Sequence, residues 1–286
     1  MMCPDPPRRL ALASREPRRT VTVDGVAIAV HDSAPDRDLP VIVCLHAIGH
    51  GGADFIRFED SVAGEYRVIT IDWPGHGASG QDTKPASAAR YADLLRGLIE
   101  ALGLDRFVLL GNSIGGAAAV RYAAEQPSRA RGLILSNPGG FDPGGFFAGI
   151  YIRLLERRFR AGVDGDARFA SWFRTYYAGI LITPEASAHR EAIVLSAYES
   201  APRLLEAWQS FRSAEADQRA LAARLTMPVL VAWASEDRII RWLRSREAVE
   251  AIPNLRIAMF KAGHSPFIET SQAFAAEARV FLGELR

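Results

Sequence analysis

A mainly parallel α/β sheet, flanked by helices and interrupted by a helical insertion, is the fold class this sequence predicts. Three observations predict it. Short apolar, β-rich runs alternate with helical patterns on either side of the chain's middle third, the signature of right-handed βαβ crossovers. One of those runs, Phe107-Val108-Leu109-Leu110, leads into Gly111-Asn112-Ser113-Ile114-Gly115 and an alanine-rich stretch, a G-x-S-x-G turn between strand and helix. The rhythm stops at Asn137-Pro138-Gly139-Gly140 and returns only at Pro228.

Thr20 to Val23, the Asp24-Gly25 turn and Val26 to Val30 predict a β-hairpin at a sheet edge. Val41 to Leu45 is continuously apolar, as a strand covered on both faces should be. Tyr66 to Ile71 is the next such strand. Residues 87–103 carry Leu94, Leu95, Leu98, Ile99 and Leu102 on one helical face. The strand at 107–110, the helix after Ser113 and the strand at 132–135 follow. From 141 to 222 the chain is helix-like and rich in arginine and aromatic residues. Strands at 228–233 and 255–260 then precede an amphipathic helix from about 270. This gives a two-part core, 20–140 and 223–286, an insertion at 141–222, and a Pro- and Arg-rich start, 1–19, expected to be flexible.

At 286 residues and 49 % apolar content the chain can bury a large core. A net charge of +1 offers no argument for nucleic acid or an anionic membrane as partner. The chain has two cysteines. Cys44 reads as a core residue inside its strand, Cys3 lies in the terminal segment, and neither a disulfide framework nor a metal cluster is expected. Without an apolar leader or a spanning run of about eighteen apolar residues, a soluble cytoplasmic protein acting on a small molecule is the expectation, with no metal and no cofactor.

A serine hydroxyl becomes a strong nucleophile only when a base takes its proton and a third group orients that base. In this strand–turn–helix setting the acid and then the histidine should follow the serine along the chain. Asp237 comes just after the strand ending at Trp233, and His264 just after the one ending at Phe260. Residues past the carboxyl ends of parallel strands gather on one rim, so Ser113, Asp237 and His264 can meet. Glu236 is a competing acid, and Asp237 can also be read as a helix N-cap before Arg238-Ile239-Ile240. His46-Ala47-Ile48-Gly49 follows the strand at 41–45. The backbone N–H groups of Ile48 and Ile114 are the candidate donors to a developing oxyanion, while His46 reads as a structural loop residue. In Asp72-Trp73-Pro74-Gly75-His76-Gly77 the aspartate and histidine should bond locally and fix the loop. The overlapping Gly75-x-Gly77-x-x-Gly80 is no dinucleotide site, because a loop and not a helix follows it.

From about residue 20 to the end the chain resembles the α/β-hydrolase fold superfamily. The resemblance rests on His46-Ala47-Ile48-Gly49, Asp72-x-Pro74-Gly75-His76-Gly77-x-Ser79, Gly111-Asn112-Ser113-Ile114-Gly115-Gly116, Asp237 and Gly263-His264. It implies that residues 141–222 form a lid over the catalytic rim. Gly-Asn-Ser-x-Gly-Gly, the Asn137-Pro138-Gly139-Gly140 turn and Arg190 are further similar to the meta-cleavage-product hydrolases. Those enzymes cut carbon–carbon bonds in aromatic ring-fission products, and in them a lid arginine meets a substrate carboxylate. Arg190 also reads as a solvated helix charge.

The leading expectation is a Ser-His-Asp hydrolase of a small, largely apolar or aromatic ester, working through an acyl-enzyme. Carbon–carbon bond hydrolysis is the alternative, and a non-catalytic ligand-binding protein of the same fold is the second. Candidate substrate contacts are Arg190, Trp73, Phe141, Phe146, Phe147 and Trp172.

Overall fold

The sheet of this protein begins with the predicted hairpin: β1 (Arg19–Val23) and β2 (Val26–Asp32) turn through Asp24 and Gly25, and Asp24 itself takes a φ of 47°. The computed structural model describes residues 19–285. Of the terminal segment expected at 1–19, only Arg19 falls among the described residues. It belongs to β1, opposite Val30, because the backbone ladder extends one residue past the β-branched run.

β3 (Val41–Leu45), β4 (Arg67–Ile71), β5 (Phe107–Asn112), β6 (Ala130–Ser136), β7 (Val229–Ala234) and β8 (Leu255–Phe260) complete an eight-stranded sheet in the order β1-β2-β4-β3-β5-β6-β7-β8. β2 runs antiparallel to its neighbours, and the pairings from β4 to β8 are parallel. β5 and β7 are buried at every position. That explains why they read as unbroken apolar runs instead of alternating ones.

The connections supply α1 (Ile56–Ser61), α2 (Ala88–Ala101) and α3 (Ile114–Glu125). Ser87 caps α2, its hydroxyl accepting from Arg90 N–H at 3.0 Å, as a Ser just ahead of an apolar helical face should. Between β6 and β7 lie α4 (Phe146–Val163), α5 (Phe169–Ala178), α6 (Ser187–Leu195), α7 (Ala197–Ser210) and the short α8 (Arg219–Ala222). The two ends of this insertion are tied together, since Gln218 N–H donates to Gly140 C=O at 2.9 Å. After β7 come α9 (Trp242–Glu250), then α10 (Pro266–Glu269) and α11 (Ser271–Glu284) behind β8. Cys44 is fully buried in β3. No helix among the described residues is long and apolar enough to cross a membrane.

Candidate active site

The turn from β5 into α3 is as tight as its glycines suggest. Ser113 sits at φ 55°, ψ −119°, a region that L-residues adopt at a cost and keep only where the surroundings enforce it. A Cβ on Gly111 would stand 2.6 Å from Gly115 C=O and 2.7 Å from Gly116 Cα, and one on Gly115 would strike the carbonyls of Leu45 and His46. The glycines let α3 start hard against β3 and β5, which lifts the serine to the carboxyl rim of the sheet.

His264 reaches the same rim from the loop after β8. Its Nδ1 is 2.7 Å from Asp237 Oδ2, and both residues are buried. That bond places the proton on Nδ1 and leaves Nε2 free to act as a base. Burial alone would depress the imidazole pKa. The charge and hydrogen bond of Asp237, with the charge of Glu269, outweigh it and raise the value above 6.5. Two consequences follow from the sign. The rate should climb with pH as the imidazole loses its proton, so the ascending limb of kcat/KM is expected to have its midpoint above 6.5. A limb centred below that value would show that His264 is not the titrating base. The pair stabilises the fold most below the ordinary histidine range, and that contribution fades as pH rises through the folded-state value.

Asp237 is held on every side. Its Oδ2 also accepts from Asn137 Nδ2 at 2.7 Å, and its Oδ1 accepts from the N–H groups of Ile239 (2.7 Å) and Ile240 (3.0 Å). Asp237 therefore caps the turn and orients the histidine at once. Asn137, at φ 40°, also bonds Ala234 N–H through its Oδ1. Glu236 points into solvent, with its N–H on Ala262 C=O.

Two supports were not legible in the sequence. Asn112 donates to the carbonyls of Ser136 and His264 and accepts from the Ser265 hydroxyl, locking β5 to the histidine loop. Glu269, nearly fully buried, accepts from the N–H groups of Gly263, His264 and Ser265 and from Ile182 of the insertion. A side chain on Gly263 would collide with Ile180 C=O, so the glycine before the histidine admits the insertion's backbone.

The loop after β3 is fixed by two neutral imidazoles. His46 Nε2 accepts from Trp73 N–H at 2.8 Å and its Nδ1–H donates to Ala47 C=O. Burial lowers its pKa to about 4. His76 Nε2 accepts from Gly49 N–H at 2.9 Å and its Nδ1–H donates to Pro74 C=O, with burial lowering its pKa to about 3. Asp72 takes Gly52 and Ala78 N–H on its two oxygens. All three act structurally, as expected. The N–H groups of Ile48 and Ile114 meet no acceptor among the described residues, which leaves both available to a ligand.

Ser113, His264, Ala47, Ile48 and His50 line one chamber of about 650 Å³ together with insertion residues, among them Tyr151, Tyr176, Tyr177, Leu204 and Trp208. Of the expected substrate contacts, Arg190, Trp73, Phe141 and Trp172 do not border it. Arg190 donates to Leu181 C=O, at the connection ahead of its own helix. Trp73 is buried beneath the rim, stacked on Tyr91 at 4.3 Å and bonded to His46 C=O. Phe141 is fully buried in the core. Trp172 stacks on Tyr176 with Phe159 edge-on against it. The side chains of Phe146 and Phe147 lie outside the described residues. Among the described residues no cluster of His, Cys, Asp or Glu could hold a metal.

Comparison with known proteins converges on the same architecture. Residues 42–277 match the family described as "Alpha/beta hydrolase family". A 2-hydroxy-6-oxononadienedioate/2-hydroxy-6-oxononatrienedioate hydrolase of Cupriavidus pinatubonensis is 27% identical over 277 residues, 93% of this chain and 95% of that protein. The enol-lactonase of Burkholderia xenovorans superposes with a TM-score of 0.79 at 20% identity, over 93% of this chain and all of that one. A thermophilic esterase from Thermogutta terrifontis gives a TM-score of 0.75 at 24% identity, over 93% of this chain and 97% of that one.

Proposed function

Because this chain belongs to the alpha/beta hydrolase family and is a hydrolase, we propose that it cuts a carbon–carbon bond next to a ketone in an acidic, conjugated substrate, with Ser113 as nucleophile. The observation that carries the catalytic part is the 2.7 Å bond between His264 and Asp237 in the chamber that Ser113 borders. The carbon–carbon reading, the alternative on sequence grounds, is favoured over the ester reading by relatives of matching length named as 2-hydroxy-6-oxononadienedioate hydrolases.

Ser113 Oγ attacks the ketone carbon and gives its proton to His264 Nε2. The negative charge on the carbonyl oxygen is met by the N–H groups of Ile48 and Ile114. On collapse of the adduct of the substrate's keto tautomer, in which the carbon next to the ketone is saturated, the carbon–carbon bond breaks, its electron pair passes into the conjugated carbonyl as an enolate, and His264 returns the proton to that fragment. Water then attacks the acyl-Ser113 ester, yields a proton to His264, and the acid departs as Ser113 recovers its hydrogen. Asp237 stabilises the imidazolium in both halves. The insertion at 141–222 serves as the lid that closes the chamber and excludes bulk water.

Ester hydrolysis remains the second reading, for a specific reason: Arg190 does not border the chamber, whose lining includes Leu204, Trp208 and Phe211. The same machinery would serve it, with an alkoxide in place of the carbon leaving group. The test is a direct comparison of 2-hydroxy-6-oxononadienedioate with p-nitrophenyl butyrate. A kcat/KM at least about 100-fold higher for the dienedioate, corresponding to about 2.7 kcal/mol of transition-state discrimination, is expected. The opposite ranking would establish the esterase.

A further inference from the structure

The insertion brings to the chamber a hydroxyl that the scheme above does not use. Tyr177, in the last turn of α5, is buried against Phe173, with ring centroids 4.7 Å apart, and borders the chamber together with Ser113 and Ile48. Its Oη reaches the loop after β3, where a Cβ on Gly49 would stand only 2.5 Å away. Gly49, at φ 79°, admits the hydroxyl because it has no side chain. We propose that Tyr177 is a further catalytic residue: its hydroxyl is a third donor to the carbonyl oxygen that Ser113 attacks.

Position is the first support. Gly49 directly follows Ile48, whose N–H is one of the two oxyanion donors, and the Gly49 N–H is itself committed to His76 Nε2. An Oη in contact with the Gly49 backbone therefore stands beside the Ile48 donor, on the oxyanion side of the chamber. The other two lining tyrosines lie elsewhere. Tyr151 and Tyr176 feel the charge of Asp237, toward the acid of the site, whereas Tyr177 feels that of Asp54, in the 3-10 turn shortly after Gly49.

The donor is also unspent. The Tyr177 hydroxyl makes no hydrogen bond to any described residue. His50, whose ring flanks it at a centroid distance of 5.7 Å, has its Nδ1 on Asp54 Oδ2 at 2.6 Å instead. A buried hydroxyl without an acceptor costs stability, and one that opens on a chamber can find its acceptor there. Tyr91 marks the contrast, because its unpaired hydroxyl is sealed in the core and borders no part of the chamber. A phenol donates without any choice of tautomer. Burial, with the charge of Asp54, pushes the Tyr177 pKa up, so the hydroxyl keeps its proton at working pH. Its bond strengthens as charge forms on the oxygen, which lowers the barrier. No proton leaves Tyr177 in the step, and the proton traffic stays with His264.

This inference rests on Ser113 as the nucleophile of a hydrolase, and the test separates the two. Tyr177→Phe keeps the ring and removes only a hydroxyl that bonds nothing in the protein. The variant and the unmodified chain are compared in three measurements. One is kcat/KM for p-nitrophenyl butyrate. The second is inhibition by a phenyl-bearing trifluoromethyl ketone, whose adduct with Ser113 carries the oxyanion. The third is inhibition by the matching methyl ketone, which binds without forming that adduct. Loss of one hydrogen bond to a charged oxygen should lower kcat/KM and trifluoromethyl ketone affinity in parallel, each by about 10- to 100-fold. Methyl ketone affinity should change by less than about twofold. A fall in kcat/KM with trifluoromethyl ketone affinity intact, equal losses for both ketones, or no change in any measurement would overturn the assignment. Partial unfolding cannot imitate the expected result, because it lowers the amount of active protein and leaves the ratio of the two ketone affinities unmoved. If Ser113→Ala retained turnover, the nucleophile would be wrong, and the oxyanion assigned to Tyr177 would fall with it.

Discussion

Replacing Ser113 by alanine is expected to lower turnover of p-nitrophenyl esters by about four to six orders of magnitude while shifting Tm by no more than about 2 °C. The large effect follows from the absence of any second nucleophile on the elbow: without Oγ, His264 has nothing to activate but water, and no acyl-enzyme can form. The small one follows from the local geometry. Serine and alanine adopt the φ of 55° equally reluctantly, and the strain is maintained by Gly111, Gly115 and the backbone of β3, none of which the substitution touches. A fluorophosphonate probe should label the unmodified chain and spare the variant. Turnover above about one per cent of the original would assign the attack to another group, whereas a large fall in Tm would mean the hydroxyl is a structural element of the turn.

The sequence was most readable where backbone constraint and chemistry coincide. The β5–α3 elbow needs glycines because carbonyls of β3 and helix backbone occupy the space a side chain would fill. The meeting of Asp237 with His264 was legible because parallel strands deliver their carboxyl ends to one rim, so position after a strand substitutes for proximity in sequence. β5 runs on through Gly111 and Asn112, beyond its apolar stretch, because pairing with Leu135 and Ser136 continues the ladder irrespective of side chain.

The insertion was a different matter. Its helices carry aromatics on several faces, and period alone does not say which face meets the core and which meets the chamber. Phe141 and Trp172 belong to the former class, and Tyr151, Tyr176, Tyr177 and Trp208 line the chamber. Arg190 was assigned by its place in a resemblance, but the rotation of α6 directs it to Leu181. The supporting roles of Asn112, Asn137 and Glu269 were overlooked because much of what they bond is backbone, which leaves no residue-type pattern. His50 and Asp54 sit four residues apart across Gly51 and Gly52, a stretch that reads as loop. Only the 3-10 turn brings them into contact.

The acid of the site gives the other large effect. Asp237→Asn is expected to lower kcat/KM by about three to four orders of magnitude, and Glu236→Gln by less than about twofold. The four contacts of Asp237 explain the first figure. Its carboxylate receives His264 and Asn137 on one oxygen and two backbone N–H groups on the other, so all of its partners are donors. An amide has one acceptor oxygen. Whichever way it turns, its NH2 faces another donor, either across the Ile239–Ile240 turn or against His264 and Asn137. Turned toward the histidine, it would force the imidazole proton onto Nε2 and remove the lone pair that Ser113 requires. Either orientation removes the negative charge that raises the His264 pKa, so whatever activity is left should have its ascending pH limb displaced to lower pH. The mismatch also costs stability, about 1 to 3 kcal/mol, and rates therefore have to be compared well below the variant's Tm. Glu236 makes none of these contacts through its side chain, which faces solvent. If Glu236→Gln proved the more damaging change, with the pH limb of Asp237→Asn unmoved, the orienting acid would be Glu236 and the 2.7 Å bond would be incidental to catalysis.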